Sequence, residues 1–264
     1  MTVTKKRGAD ALINSLQCAG VKRIFTLSGN HIMPVFDAVF NAGIELIHTR
    51  HEAATVHMAD AYARITGEPG IALVTGGPGH ANAVSALYTA QMAESPVVLL
   101  SGHAPNNQLG MGAFQEMRQA EMAAPVTRLS WVSASADALA SDMAKAISVA
   151  QSGRSGPVHV SLPTDALEGE TDAIHVAIDA SAFQPVAMRL SSADAASFLA
   201  RLLRARRPLI LTGPASMTRY RRDSLAALET ATGIPVIGDR KSTRLNPASA
   251  CSRKCSRKVT AFCC

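Results

Sequence analysis

Apolar residues follow two patterns along the chain, short continuous runs and longer stretches in which they recur every three or four positions. Continuous runs are typical of parallel strands covered on both faces, and the longer spacing is typical of amphipathic helices. The runs predict strands at residues 23–27, 44–48, 71–75, 97–101, 126–131 and 158–162. Helices are predicted at residues 8–19, 33–41, 53–65, 81–91 and 136–150. This order predicts an α/β fold, a doubly wound, mostly parallel sheet with helices on both faces.

The pattern becomes irregular near residue 165, which predicts the end of the first domain. Acidic residues and a Gln184-Pro185 step between residues 165 and 191 indicate a linker. Two further helix and strand pairs follow, which is the start of a second α/β domain. We expect one domain at 1–165, a linker at 166–190, a truncated second domain at 191–239 and a basic, cysteine-rich tail at 240–264.

Composition suits a soluble α/β domain with part of another, since the 264 residues are 47% hydrophobic and 17% charged. The net charge of +6 equals the six lysines and arginines at residues 241–264, where no acidic residue occurs. The neutral body gives no reason to expect a nucleic-acid partner. Four of the five cysteines also lie in the tail, at spacings that signal zinc or disulfides only weakly. We expect the tail to be disordered or an artefact such as a frameshift.

Targeting signals are not evident in the sequence. Lys5, Lys6 and Arg7 precede no apolar signal segment, because Asp10 and Asn14 interrupt it. No run approaches the ~20 apolar residues that a membrane span needs. We therefore expect a cytoplasmic protein that does not insert into a membrane.

Glu52 is the strongest candidate for a chemical role. It falls between the predicted strand 44–48 and the predicted helix 53–65, and so in the first turn of that helix. That position is also the carboxyl end of a parallel strand, where ligands bind in such folds. The alternative is that Glu52 only complements the helix dipole, which is the commoner role of a glutamate at a helix start.

The segment Thr75-Gly76-Gly77-Pro78-Gly79 predicts a tight turn, hereafter the 75–79 turn, in which glycine permits close backbone approach. Its spacing fits neither a dinucleotide fingerprint nor a P-loop. A strand-to-helix connection without ligand contact is the alternative. His51-Glu52 begins like a zinc-protease helix, but Thr55 stands where the second histidine would be, and no serine-hydrolase elbow occurs. We predict no metal ligands.

The segment Arg50-His51-Glu52-Ala53-Ala54 resembles the R-H-E-x-x-A signature of the pyrimidine-binding domain in thiamine-diphosphate enzymes of the acetolactate synthase and 2-hydroxyacyl-CoA lyase kind. Further stretches resemble that family in the same order along the chain. They are residues 25–30, the 75–79 turn with Asn82, residues 112–116 and residues 153–163.

The resemblance implies that Glu52 bonds N1′ of the cofactor aminopyrimidine and favours the imino tautomer, whose nitrogen removes the C2 proton of the thiazolium. Gln115 is the second implied catalytic residue, a donor to a substrate carboxylate or an intermediate oxygen. Capping of the next helix is its alternative role. The implied cofactor-binding residues, besides Glu52, are Gly29, Asn30, Gly77, Pro78, Gly79 and Asn82.

Phe114 and His31 are the implied substrate contacts, with an ordinary surface histidine as the alternative for His31. In the family, Mg²⁺ holds the diphosphate through a G-D-G motif. This chain has no such triplet, and Gly238-Asp239-Arg240 matches only its first two positions. We therefore expect thiamine diphosphate as cofactor, with Mg²⁺ bound by a domain absent from this chain. FAD is left open, and nothing in the sequence supports it.

The resemblance implies the amino-terminal part of a thiamine-diphosphate-dependent 2-oxo acid decarboxylase or carboligase, acetolactate synthase-like in activity. Its substrate would be a 2-oxo acid or an acyl-CoA, and a homo-oligomer through the pyrimidine-binding domain is expected. The alternative is a catalytically silent truncated paralogue that acts as a binding or regulatory partner. A nucleic-acid binder is a third reading, which rests only on the basic tail.

Overall fold

The computed structural model describes residues 6–172, 179–186, 190–213 and 219–238. The chain separates into two compact units, residues 1–187 and residues 188–264. The predicted basic tail at 240–264, with its four cysteines, and the Asp239-Arg240 step lie outside the described residues. Cys18 is exposed and its thiol is free.

Strands and helices alternate along the first unit. The strands are β1 (Arg23–Thr26), β2 (Glu45–His48), β3 (Gly70–Val74), β4 (Val97–His103), β5 (Leu129–Val132) and β6 (Val158–Pro163). The helices are α1 (Gly8–Cys18), α2 (Met33–Ala38), α3 (Glu52–Thr66), α4 (Pro78–Met92), α5 (Gln119–Ala123), α6 (Ala138–Gln151) and α7 (Thr164–Glu168). Short 3₁₀ helices form at Asn30–Ile32, Asn106–Gln108, Ala124–Val126 and Ala180–Phe183.

The strands of the first unit form one parallel sheet in the order β2-β1-β3-β4-β6-β5. This confirms the predicted doubly wound α/β fold. The chain passes from β1 outward to β2 and then returns to the other side of β1 to form β3. The carboxyl ends of β1 and β3 therefore border a topological switch point, where ligands bind in open α/β sheets.

Two apolar clusters cover the two faces of the sheet. Along β4, Val98 and Leu100 belong to the cluster with α1 and α6, whereas Val97 and Leu99 belong to the cluster with α3 and α4. Each strand residue points to the opposite face from its neighbour, so a strand covered on both faces needs apolar residues at every position. This explains the absence of alternation in the sequence.

The element boundaries depart from the predicted ones where proline sets the local geometry. Helix α4 begins at Pro78, three residues before the predicted start, because the fixed φ of proline suits the first helical position. Strand β5 begins at Leu129 and not at residue 126, since the Ala124–Val126 3₁₀ helix includes Pro125. The short helix α5 was not predicted, because five residues are too few to show a helical period.

Helix α3 packs on the sheet at backbone distance. A Cβ atom added to Gly70, the first residue of β3, would lie 2.1 Å from the carbonyl oxygen of Ala59 in the middle of α3. Only glycine fits at this crossing. The middle of the helix that begins at Glu52 is therefore held close to the start of β3.

The second unit contains α8 (Ser192–Arg204), β7 (Ile210–Thr212), α9 (Arg219–Thr232) and β8 (Val236–Gly238), with β7 and β8 paired in parallel. Ser191 caps α8 by accepting a 3.1 Å hydrogen bond from the amide of Asp194. In the described part of the chain, none of the helices combines the length and the apolar character needed to cross a membrane.

Leu100→Ala is expected to lower the free energy of unfolding of the first unit by about 2–5 kcal/mol, because it leaves a cavity in the centre of the sheet. Leu100 is 0% exposed, whereas Leu109 is 40% exposed and serves as the matched Leu→Ala control. Urea unfolding of both variants measures the effect. A loss for Leu100→Ala no larger than that of Leu109→Ala would contradict the described core.

Candidate functional site

The predicted site residues lie at one edge of the sheet, beyond the carboxyl ends of four neighbouring strands. Gly29, Asn30 and His31 follow β1, Glu52 follows β2, the 75–79 turn follows β3, and Phe114 and Gln115 follow β4. Since β2, β1, β3 and β4 are adjacent in that order, residues far apart in the sequence meet at this edge.

Glu52 is the first residue of α3, as predicted, and its side chain is half-buried. The preceding His51 caps the helix, because its Nδ1 accepts a 3.1 Å hydrogen bond from the amide of Ala53. The Glu52 carboxylate accepts a 3.0 Å hydrogen bond at Oε2 from Nδ2 of Asn82, which is exposed. Two predicted site residues from different helices are thus joined directly.

Thr75 occupies the centre of the site, although the sequence analysis singled out only the turn that begins with it. A Cβ atom added to Gly29 would lie 2.4 Å from the Thr75 Cβ, and one added to Gly79 would lie 2.7 Å from its Cγ2. The same atom on Gly79 would lie 3.3 Å from Oε1 of Glu52. Both glycines are therefore needed for close packing, and the second keeps space beside the Glu52 carboxylate.

Gly77 has φ 57° and ψ −118°, backbone angles that favour glycine, and it precedes the first turn of α4. Its amide donates a 2.8 Å hydrogen bond to Oε1 of Gln119. A Cβ atom on Gly77 would lie 2.7 Å from the Cβ of Gln115, which itself has φ 57°. The structure thus brings Gln115 to the 75–79 turn. It also adds Gln119, whose role no sequence motif indicated.

His31 is 2% exposed and so is not a surface histidine. Its Nδ1 lies 3.3 Å from Oγ1 of Thr75, and its Nε2 lies 3.2 Å from the carbonyl oxygen of Phe114. These partners assign a neutral ring in which Nε2 donates to Phe114 and Nδ1 accepts from Thr75. Burial lowers the pKa of His31, which favours this neutral form.

The remaining predicted residues lie at the outer surface of the site. Phe114 is 67% exposed, and its ring stacks on that of His31 with centroids 5.8 Å apart. Asn30 and Pro78 are exposed at the starts of the Asn30–Ile32 helix and of α4. Within the described ranges, no group of three or more histidine, cysteine, aspartate or glutamate residues is placed to hold a metal ion.

A buried polar cluster lies beneath the 75–79 turn. Nδ1 of His80 lies 2.9 Å from Oγ of Ser101, and the His80 ring is 4.5 Å from that of His159 between centroids. Nδ1 of His159 lies 2.8 Å from Oγ of Ser130. Burial lowers the pKa of His80 to about 4 and is the main cause that lowers the pKa of His159 well below its ordinary value. Both rings are therefore neutral near pH 7.

Comparison with known proteins identifies a match at the amino-terminal end. The family described as thiamine pyrophosphate enzyme, N-terminal TPP binding domain, matches residues 6–122. The chain is 34% identical over 236 residues to a probable acetolactate synthase large subunit of Methanocaldococcus jannaschii, a match that covers 87% of this chain and 39% of that protein.

Two further relatives are similar in part. An acetolactate synthase isozyme 3 large subunit of Escherichia coli is 33% identical over 87% of this chain and 41% of its own length. A protein of Danio rerio named 2-hydroxyacyl-CoA lyase 2 is 40% identical over 61% of this chain and 26% of its own length. The chain thus spans about two fifths of the length of these two acetolactate synthase subunits.

Gly79→Ala is expected to displace Thr75 or Glu52 and to lower the free energy of unfolding by about 1–3 kcal/mol, because the new methyl group overlaps Thr75 and is in tight contact with Glu52. Urea unfolding measures the loss, and a crystal structure of the variant shows the displacement. The control is Thr89→Ala at an exposed position of the same helix, for which the expected change is within about 0.5 kcal/mol. An unshifted Glu52–Asn82 pair in a variant of full stability would contradict the described packing.

The stability of the first unit is expected to fall as the pH drops from about 6.5 towards about 4, the pKa of His80 in the folded chain. Because the folded pKa lies below the unfolded one, the unfolded chain binds the extra proton first as the pH falls. The contribution of His80 is of the order of 3 kcal/mol. It is fully present above about pH 6.5 and is lost as the pH falls through that window.

Urea unfolding at pH 7 and at pH 5 measures this dependence in the wild type and in His80→Gln, which should show a smaller difference. His57→Gln, at an exposed position of α3, is the control that should keep the wild-type dependence. An identical pH dependence in His80→Gln and the wild type would disprove the assignment to this histidine.

Proposed function

We propose that the Glu52 site binds the aminopyrimidine ring of thiamine diphosphate, and the starting point is the match of residues 6–122 to the family described as thiamine pyrophosphate enzyme, N-terminal TPP binding domain. The observation that carries the proposal is the Glu52 carboxylate. Its Oε2 accepts a 3.0 Å hydrogen bond from Asn82, which leaves Oε1 to face a ring nitrogen. The site also borders the switch point of the sheet, where a ligand is expected.

The arrangement of donors and acceptors fits an aminopyrimidine. Half-buried Glu52 offers a carboxylate oxygen to a ring nitrogen, and the packing of Thr75 against Gly29 and Gly79 places the loops after β1 and β3 beside it. When bound, thiamine diphosphate supplies a carbon acid whose proton must be removed, a step that its own aminopyrimidine assists. We propose that Glu52 holds a proton at Oε1 and exchanges it with the ring nitrogen. Asn82 keeps the carboxylate oriented during that exchange.

Gln115, Phe114 and His31 are the residues that we propose on the substrate side of the site. Gln115 stands against Gly77 at the rim, a position that suits an amide donor to a substrate carboxylate. Burial lowers the pKa of His31 and so favours its neutral form, and its ring stacks on Phe114. These features suit a contact with the substrate more than a proton transfer to it. Asn30, Gly77 and Pro78 complete the proposed cofactor contacts.

For the whole protein we propose an acetolactate synthase-like carboligase and decarboxylase that acts on a 2-oxo acid. The support is the pair of relatives named acetolactate synthase large subunits, each aligned over 87% of this chain. These names favour an enzyme over a silent paralogue. The relative named 2-hydroxyacyl-CoA lyase 2 supports an acyl-CoA as the second proposed class of substrate.

The diphosphate and Mg²⁺ are proposed to bind a separate domain, since the sequence has no G-D-G triplet.

We also propose that the first unit self-associates through α3 and α4. Met58, Ile65 and Tyr88 on these helices are 38%, 79% and 56% exposed, and a second copy packed on the two helices would cover these apolar side chains. The domain boundaries at 1–165 and 191–239 and the cytoplasmic location stay predictions.

The test is titration of the purified chain with thiamine diphosphate and Mg²⁺, alone and mixed with a separately expressed diphosphate-binding domain of a relative. Exchange of the thiamine C2 proton with deuterium, followed by NMR, reports the function of Glu52. Binding is expected in the mixture. Glu52→Gln is expected to slow the exchange by roughly 10²–10⁴-fold, because an amide cannot accept and return the proton.

Glu121→Gln, at an exposed position of α5, is the matched control and should leave both binding and exchange unchanged. Circular dichroism of each variant confirms that the chain is folded. The proposal is disproved if the folded wild type fails to bind thiamine diphosphate in the mixture, or if Glu52→Gln exchanges the C2 proton at the wild-type rate.

A further inference from the structure

We propose that Gln119 is a positioning residue whose side-chain amide holds the 75–79 turn in the conformation that the cofactor site requires. The inference rests on the proposed function and extends it to a residue that no motif indicated. Gln119 is the first residue of α5 and is 0% exposed, so its amide cannot be hydrated and must find partners within the protein.

The amide of Gln119 ties three segments of the first unit together. Its Oε1 accepts a 2.8 Å hydrogen bond from the amide of Gly77. Its Nε2 donates to the carbonyl oxygen of Gly102 at the end of β4 and to Oγ of Ser161 in β6, both at 3.1 Å. One side chain thus fixes the turn after β3 relative to the two strands that follow it in the sheet.

Gly77 needs this partner because of where its amide points. Gly77 precedes the first turn of α4, so its N–H finds no acceptor within the helix itself. The residue is buried, and a buried amide without a partner is costly. A Cβ atom added to the preceding Gly76 would lie 2.6 Å from the Gly102 oxygen and 3.2 Å from Oε1 of Gln119. Gly76 and Gly77 of the turn therefore pack directly against the side-chain amide of Gln119.

The orientation of Gly77 sets the start of α4 and thereby the cofactor site. The carbonyl of Gly77 accepts the first helical bond from the amide of Ala81, at 3.0 Å. The next turn of the helix carries Asn82, which holds the Glu52 carboxylate. Rotation of the Gly77 peptide would therefore shift the residues that orient Glu52. Gln119 acts on the carboxylate through this chain of contacts without touching it.

Glutamine suits this position because it both accepts and donates. A leucine has neither group, so Gln119→Leu removes the acceptor of the Gly77 amide and the side-chain donor to the Gly102 carbonyl. A glutamate reproduces both bonds only when protonated, because a carboxylate would face the Gly102 carbonyl without a proton to donate. Burial raises the pKa of such a carboxyl. Gln119→Glu is therefore expected to resemble the wild type at low pH. At high pH its carboxylate still accepts from the Gly77 amide but repels the Gly102 carbonyl oxygen, so the side chain and the turn that it holds are expected to shift.

Amide hydrogen exchange tests whether Gln119 holds the turn. In Gln119→Leu the protection of the Gly77 amide should fall by roughly tenfold or more, while the strand amides of β3 keep their protection. Gln108→Leu, the same change at an exposed glutamine, is the control and should leave Gly77 unchanged. If Gln119→Leu does not fold, the pH dependence of Gly77 protection in Gln119→Glu decides the same question.

The dissociation constant of thiamine diphosphate, measured with the added diphosphate-binding domain, tests whether the turn matters for the site. It should rise by roughly tenfold in Gln119→Leu. In Gln119→Glu it should rise with pH between 5 and 8, a dependence absent from the wild type and from Gln108→Leu. A merely structural role would not produce that pH dependence at constant global stability, which urea unfolding monitors.

Unchanged Gly77 protection in folded Gln119→Leu would overturn the proposal. Lost protection with an unchanged dissociation constant would also overturn it, since the turn would then be irrelevant to the cofactor. A wild type that fails to bind thiamine diphosphate would disprove the proposed function. The exchange measurement would still decide whether Gln119 holds the turn.

Discussion

The packing of Thr75 between the backbones of Gly29 and Gly79 is the contact on which the carboxyl edge of the sheet depends. It joins the loops after β1 and β3, the two strands that border the switch point. Because neither glycine has a side chain, the Thr75 side chain packs directly on both backbones, and the Glu52 carboxylate reaches the same point from β2. Any residue with a Cβ at position 29 or 79 would separate these loops and open the site.

Burying the 75–79 turn removes backbone polar groups from water, which is unfavourable. Hydrogen bonding to the buried residues beneath the turn offsets this cost. The amide of Gly77 in the 75–79 turn points into the protein and donates to Gln119, whose side-chain nitrogen donates in turn to Ser161 of β6. The satisfied Gly77–Gln119 pair specifies one arrangement, because the alternative is an unpaired group at low dielectric. The same burial keeps two histidines neutral in contact with each other. The edge is thus rigid near neutral pH and weakened in acid.

The sequence was sufficient to predict the fold and the position of the candidate residues at the carboxyl edge of the sheet, and the physical reason is local. Continuous apolar runs identify buried parallel strands, and the strand-to-helix steps place Glu52, Asn82 and the 75–79 turn at one edge. Gln119 and the role of Thr75 were not predictable, because each depends on partners 40 or more residues distant and on side-chain packing. His31 is a related case, since its burial depends on Phe114 and Thr75, and no local pattern separates a buried from an exposed histidine.

The division between outer and inner residues bears on how such a site functions. Asn82 and Phe114 are exposed at the surface of the first unit, whereas Thr75, Gly77 and Gln119 beneath them are partly or fully buried. Under the proposed function, the rigid inner layer fixes Glu52 before the cofactor arrives, so little ordering remains to be done on binding. The exposed layer then requires a second surface to exclude water from the carboxylate. A diphosphate-binding domain packed on this edge would supply that surface. The proposed activity therefore requires the assembled site and not only the carboxyl edge of this sheet.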